Sequence, residues 1–203
     1  MHLWQIMVKL SAFDIEQDST LWTSFRSGNQ QALADLFLAQ YDKLYRYGFR
    51  LYSDEDVIKD CIQELFLKLW HKRQSLGEVR EVTPYLCQAL RRTIVDSLRE
   101  KSGRFRLWTP GDEERLEVTF SHEDFLISQQ IDDEQRRRLT AALNQLTKRQ
   151  REAVHLRYFE NFEPGEIARI MNLSDQSVYN LLYRSVQALR DNFFLLLLIG
   201  ANN

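Results

Sequence analysis

The chain has 203 residues, 44% of them apolar and 28% charged, with a formal net charge of −2. That length holds one large domain or two small ones, and the near-neutral balance argues against a histone-like, non-specific DNA binder, which would be basic. Seven glycines and three prolines are too few to punctuate the hairpins of an all-β fold.

Cys61 and Cys87 sit in apolar stretches without metal-binding spacing, as buried thiols in a reducing compartment do. The start, Met1-His2-Leu3-Trp4-Gln5, has no basic segment leading into an apolar core, so no signal peptide is expected. The longest apolar run, Phe193 to Ile199, is far shorter than the ~20 residues of a membrane span. A cytoplasmic protein with no membrane insertion is expected.

In chain order, 18–27 and 29–52 read as helices. Leu33, Leu36, Phe37, Tyr41, Leu44, Tyr45 and Gly48 form one apolar stripe at three- and four-residue steps. Ser53-Asp54 breaks the pattern and supplies an N-cap. The helix over 54–73 then has a wide apolar face, Val57 to Trp70, and a polar stripe of Asp56, Lys59, Asp60, Gln63 and Glu64. A loop, Gln74 to Val82, precedes Thr83-Pro84, which suits a helix start with Thr83 as cap and Pro84 at the first position. That helix runs to about 101, its core side holding Leu86, Ala89, Leu90, Ile94 and Leu98. Its other side carries Arg91, Arg92, Arg99 and Lys101.

Ser102-Gly103 ends the helix. Residues 111–135 hold nine acidic residues against the single Arg115, and 103–122 read as a linker, with a helix resuming near Ser121. From 132 a second helical unit begins. Leu139, Leu143 and Leu146 form its first stripe, and Thr147 caps a helix from 148 to about 160. A short helix, Pro164 to Met171, a tight turn at Asn172-Leu173 and a helix capped by Ser174 complete a helix-turn-helix. Val178, Leu182, Ser185 and Leu189 face inward at helical spacing. Gln176, Ser177, Tyr179, Asn180, Tyr183 and Arg184 point outward, a set of amide, hydroxyl, phenol and guanidinium groups that can bond base edges and phosphates. Lys148, Arg149, Arg151 and Arg157 on the preceding helix are candidates for backbone phosphates. A plain helical hairpin with a solvated polar face is the alternative for the same pattern.

The expected organisation is all-α: two small helical domains, 18–102 and 132–192, joined by an acidic linker over 103–131 and followed by an apolar tail, 193–203. Asp60-Cys61-Ile62-Gln63-Glu64-Leu65-Phe66-Leu67-Lys68-Leu69-Trp70 resembles the second conserved region of the extracytoplasmic-function (ECF) sigma factors, where Asp-Leu-Val-Gln-Glu-x-Phe-x-x-x-Trp is typical. Tyr85-Leu86, Ala89, Asp96 and Arg99 resemble the helix that follows. Leu146, Arg149-Gln150-Arg151-Glu152, Leu156-Arg157-Tyr158-Phe159, Glu166-Ile167-Ala168, Leu173-Ser174, Val178, Leu182, Arg184 and Leu189-Arg190 resemble the fourth region.

The resemblance implies a nucleoid-associated protein that docks Asp60, Gln63 and Glu64 on the β′ clamp helices of core RNA polymerase and also meets the β flap. It implies −10 recognition and melting by the 74–83 loop with Tyr85, Arg91, Arg92, Arg99 and Lys101, through base capture and stacking. It implies −35 recognition by the helix-turn-helix. An anti-sigma factor or another recruiting factor is a further implied partner, and the apolar tail is either core packing or its docking segment. The acidic linker is either a flexible connector or a mimic of nucleic acid in the RNA-exit path. Two departures stand out: on the −10 helix the family's usual Asn is Arg92 here, and in the recognition helix a typical Thr-Val-Lys-Ser-Arg-Leu becomes Ser177-Val178-Tyr179-Asn180-Leu181-Leu182, where Tyr179 and Leu181 replace two cations and weaken the expected −35 grip.

His2, His71, His122 and His155 are scattered, and no catalytic or metal-spaced motif is present, so neither an enzyme nor a cofactor or metal is expected. The rival class is a conventional helix-turn-helix regulator with a helical sensing or dimerisation domain. Such a protein has no need for an Asp-x-x-Gln-Glu stripe followed by a basic helix, and it should bind duplex DNA by itself.

Overall fold

In a computed structural model of the chain, the described residues are 16–79, 81–101, 116–121, 124 and 133–200, with side chains throughout except at Lys101 and 191–200. Among the described residues every regular element is helical. The chain divides into two compact units, Met1–Phe49 with Ser53–Trp108, and Arg50–Tyr52 with Thr109–Asn203.

The first unit contains α1 (16–26), α2 (Gln30–Leu51), α3 (Glu55–Lys72), a single 3-10 turn (Arg73–Ser75) and α4 (Val82–Lys101). Gly28, at φ +100, turns the chain after α1 in the left-handed region that favours glycine. Asn29 then caps α2, its Oδ1 accepting from the Gln31 and Ala32 N–H groups at 2.9 and 3.2 Å. Asp54 caps α3 in the same way, accepting from Val57 N–H at 3.1 Å. Trp22, Phe25, Leu36, Leu44, Tyr47, Ile58, Ile62, Leu86, Leu90 and Ile94 are each no more than 1% exposed and make the core. Each such aliphatic or aromatic side chain contributes roughly 1.5–3 kcal/mol by leaving water. Gly48 lets three helices close on one another. A Cβ there would stand 3.0 Å from Ile58 Cγ2 and 3.2 Å from Leu90 Cδ2.

Helix α4 begins at Val82, one residue before the expected cap. Thr83 lies inside the first turn, and its hydroxyl donates instead to Gln40 Oε1 at 2.8 Å. Gln40, fully buried, donates in turn to Asp18 Oδ2 at 2.6 Å. This chain of bonds ties α1, α2 and α4 together through the core. A hidden polar group is tolerable there because each is partnered.

The second unit holds α5 (Asp133–Gln145), α6 (Lys148–Tyr158), α7 (Pro164–Met171) and α8 (Asp175–Gly200). Thr147 and Gln150 form a reciprocal capping box at the start of α6, and Glu163 and Glu166 form another at α7. Burial raises the Glu166 carboxyl above its usual range. Asn172, at φ 54 and ψ 49, ends α7 in the left-handed region, a conformation asparagine tolerates better than most residues. Ser174 Oγ accepts from Ser177 N–H at 3.2 Å and caps α8. The backbone of α8 runs on through 193–199 to Gly200. How the tail's apolar side chains are placed lies outside the described residues.

Part of the stretch read as linker is built into this unit. Leu116, Val118 and Phe120 are buried at 3%, 1% and 2% exposure, while Glu117 and Thr119 alternate with them on the open side. The Asn144 side chain grips Phe120 at both polar groups, accepting from its N–H at 2.9 Å and donating to its carbonyl at 2.8 Å. Glu117 N–H donates to the Leu51 carbonyl at 3.0 Å. Arg50 donates to the Thr119 carbonyl and, through both terminal nitrogens, to Asp124. Burial alone would raise the Asp124 carboxyl, but the hydrogen bonds from Arg50 and from the Ser121 N–H outweigh it and hold the group below its usual range.

Candidate polymerase and nucleic-acid interfaces

Helix α3 divides its residues sharply. Val57, Ile58, Cys61, Ile62, Leu65, Phe66 and Leu69 are buried. Asp60, Gln63 and Glu64 are exposed at i, i+3 and i+4, so the three expected docking residues share one outward patch. Leu67, 60% exposed, continues that patch by one turn. Beside it, an open and mostly apolar groove between α2 and α3 is lined by Gln30, Leu33, Phe37, Gln63, Phe66, Leu67 and Trp70. The face therefore offers carboxylate and amide groups next to an apolar seat, a combination that suits a partner helix carrying cations.

The second candidate surface is the loop after α3 together with α4. Trp22 Nε1 donates to the Gly77 carbonyl at 3.1 Å and pins this loop to α1. Tyr85 is half-buried, edge-on to Trp22 with ring centroids 5.2 Å apart. That burial pushes its hydroxyl up against the opposing pull of the Arg92 charge. Arg92 is exposed, and Arg99 leans on Asp96 at 3.5 Å with its side chain 12% exposed. Arg91 corrects the sequence expectation: it is 5% exposed and points into the unit, so it is not on the basic face. The Lys101 side chain lies outside the described residues.

The third surface is the helix-turn-helix α7–α8. Ile167, Ala168, Ile170, Met171 and Val178 pack inward, and Ser185 is fully buried, its hydroxyl donating to the Leu181 carbonyl at 2.7 Å. Gln176, Tyr179, Asn180, Tyr183 and Arg184 are exposed and Ser177 is half-exposed. Tyr179 and Tyr183 stand out at 56% and 66%, one helical turn apart. Gln176 donates to Asn180 Oδ1 at 3.2 Å, which aligns two amides along the outer face. Such amides match the donor and acceptor edge of adenine in a major groove.

The four α6 cations named as candidates for backbone phosphates do not share one exposed face. Lys148 and Arg149 are exposed at its first turn. Arg151 is turned inward and 7% exposed. Its Nη1 donates to the Asn144 carbonyl at 2.8 Å and its Nη2 to Glu117 Oε1 at 2.6 Å. Lys148 Nζ lies 3.2 Å from the other oxygen of Glu117. Arg157 sits nine residues, about 13 Å, along the helix from Lys148, and binds the Phe162 carbonyl at 3.0 Å and Glu163 at 3.1 Å. Hydrogen bonding from Lys148 first, then the charges of Lys148 and Arg151, hold the Glu117 carboxyl below its usual range. Glu117, Phe120 and Asn144 were missed by the sequence reading, although the alternation Leu116-Glu117-Val118-Thr119-Phe120 carries the signal of a half-buried extended segment.

Among the described residues no His, Cys, Asp and Glu group is placed to hold a metal ion, and no helix is long and apolar enough to cross a membrane. Residues 36–104 match Sigma-70 region 2, and residues 136–189 match Sigma-70, region 4. The ECF RNA polymerase sigma factor SigL of Mycobacterium tuberculosis is 28% identical over 177 residues, which cover 81% of this chain and 92% of SigL. In fold, the chain is similar to CnrH in complex with the cytosolic domain of CnrY, with a TM-score of 0.56 at 19% identity over 92% of this chain and 99% of CnrH. It is also similar to the sigma factor RpoE in complex with the anti-sigma factor NepR from Bartonella quintana, with a TM-score of 0.51 at 20% identity over 79% of this chain and 95% of RpoE. Two sigma regions in the order of the family, on the two helical units described, place the chain among the ECF-type RNA polymerase sigma factors, a family of non-enzymatic transcription initiation factors.

Proposed function

We propose that this sigma factor binds core RNA polymerase through Asp60, Gln63 and Glu64 of α3, on the β′ clamp helices, with the second unit meeting the β flap. Directing polymerase to promoters is the family's activity; the residue assignments are our reading. The observation that carries it is the outward patch of α3: three polar groups share one face of a helix whose opposite face is wholly buried, and an apolar groove adjoins them. The loop pinned by Trp22, with Tyr85, Arg92 and Arg99, takes the single-stranded −10 element. The outer face of α8, from Gln176 to Arg184, reads the −35 duplex.

The protein works in the cytoplasm, at the nucleoid, without a cofactor and without catalysing a reaction of its own. A regulator of the anti-sigma kind, such as the NepR bound to RpoE, is its second protein partner.

The test is co-purification with bacterial core polymerase, followed by transcription from a promoter library with core alone as control. Discrete new start sites are expected. The double change Asp60→Ala with Glu64→Ala should lower core affinity at least about tenfold, the scale of lost charge complementarity at an interface, with an unchanged melting curve. Arg184→Ala should lower promoter binding and leave core binding intact. Unchanged core affinity in the double variant sinks the α3 assignment. Tight binding of the free chain to duplex DNA with no affinity for core would return the conventional regulator.

A further inference from the structure

The basic start of α6 is occupied by the chain itself. Lys148 and Arg151 converge on one carboxylate, Glu117, delivered by a segment that lies outside the helix-turn-helix. Arg151 has little freedom to turn elsewhere. Its side chain is 9% exposed, its Nη1 is held by the Asn144 carbonyl, and its Nε is buried with no hydrogen-bond partner among the described residues. The guanidinium thus directs an Nε/Nη2 fork toward Glu117 with only one arm in use. A buried guanidinium stripped of its counter-charge is costly, so an anion must stand there in any state the protein adopts. The opposite partners are open: the side chains of Glu117 and Lys148 are 47% and 44% exposed, so a second anion can approach without unfolding the unit.

We propose that this is a phosphate site for duplex DNA, filled by the Glu117 carboxylate while DNA is absent. The segment 116–121 is then a strap that supplies a competing anion, and it gives way to a backbone phosphate when α8 enters the major groove. A backbone phosphodiester can take the same place. Like the carboxylate it spreads one negative charge over two oxygens, and those two match the Nε/Nη2 fork of the arginine, of which Glu117 uses only one arm. The proposal rests on the −35 reading of α7–α8 and adds its regulation: the chain holds part of its own DNA-binding surface closed.

Phosphate contacts are independent of sequence, so the test needs no consensus. The full-length chain is titrated into a short fluorescein-labelled duplex of fixed sequence, and anisotropy is followed over a range of salt concentrations. Glu117→Gln is expected to bind about threefold more tightly at low salt, with a salt slope steeper by ~0.9, the signature of one additional phosphate. Asn144→Ala, which loosens the strap and changes no charge, should move both readings the same way. In a Lys148→Ala background the gain from Glu117→Gln should shrink. Glu134→Gln, which removes the same charge elsewhere in the unit, should leave the slope alone. The proposal is overturned if Glu117→Gln leaves affinity and slope unchanged, if it tightens binding without steepening the slope, or if Glu134→Gln does as much. Failure of the sigma reading would show separately, as loss of co-purification with core polymerase by the unaltered chain.

Discussion

Asn144 makes the clearest quantitative claim on the strap. Its side-chain amide satisfies both backbone polar groups of Phe120, at 2.9 and 2.8 Å, and Phe120 is only 2% exposed. Truncation to alanine removes two hydrogen bonds, each contributing about 0.5–1.5 kcal/mol, and leaves a part-buried N–H and C=O with the added cost of unmet polar groups. The expected loss is about 2–4 kcal/mol of local stability, or roughly 30- to 900-fold in the opening equilibrium of the strap. Amide hydrogen exchange reads that equilibrium directly. Protection at Glu117 and Phe120, whose N–H groups are bonded to the Leu51 carbonyl and to Asn144, should fall by that factor, while amides of α3 and α4 keep theirs. Asn144→Asp retains the acceptor for Phe120 N–H but loses the donor to its carbonyl, so it should fall in between. If Asn144→Ala changes exchange at Phe120 by less than about twofold, under half a kcal/mol, the strap is not held by this residue and the argument built on it fails.

Other expectations follow from single contacts. Gly48→Ala should destabilise the first unit by about 1–2 kcal/mol, because Ile58 and Leu90 are fully buried and cannot make room; a shift of the urea midpoint toward stability, as helix propensity alone gives, would contradict the close approach. Arg91→Ala should lower the thermal stability of the first unit by about 2–4 kcal/mol as a buried charged group loses its place, whereas Arg92→Ala should leave melting unchanged and slow promoter opening. The depressed carboxyls of Glu117 and Asp124 give their stabilisation in full above the unfolded value of ~4 and lose it as pH falls through their lower folded values. Protection of the strap should therefore be flat from neutral pH to about 5 and collapse in stronger acid. With Glu117→Gln that collapse should be smaller, and an undiminished collapse would assign it to Asp124 alone.

The helices and their caps were legible because they follow local rules. Asp54, Thr147 and Ser174 each accept a first-turn N–H, as their position before an apolar-periodic run implies. Thr83 failed the same rule because a buried glutamine, far away in sequence, competes for its hydroxyl. The outward residues of α3 and α8 were legible too, since a strong apolar stripe on one side fixes the other. On α6 that guide is weak. Ala153, Val154 and Leu156 supply its main apolar burial, and the inward face is completed by Arg151, Glu152 and His155. A sequence reader sorts such cations outward by their charge, yet the aliphatic stem of an arginine packs well and its head needs only a partner. Arg91 was misplaced for the same reason.

What the sequence could not show is that several of its cations are committed to its own acids. Glu117 meets Lys148 and Arg151, Glu163 meets Arg157, and Asp96 meets Arg99. Part of the near-neutral balance behind the net charge of −2 is thus opposite charges held in contact. Where both partners are exposed, as in Lys148–Glu117, such a pair contributes about 0–1 kcal/mol and can be exchanged for a DNA phosphate at small cost, whereas the buried Arg151 needs an anion beside it throughout. Several exchanged together subtract from the counterion release that would otherwise drive binding. A chain built this way is expected to bind duplex DNA weakly in isolation and to grip it once a partner brings the duplex to it. That behaviour would suit a promoter-specificity subunit, and the ion pairs of the second unit and of α4 would be one source of it.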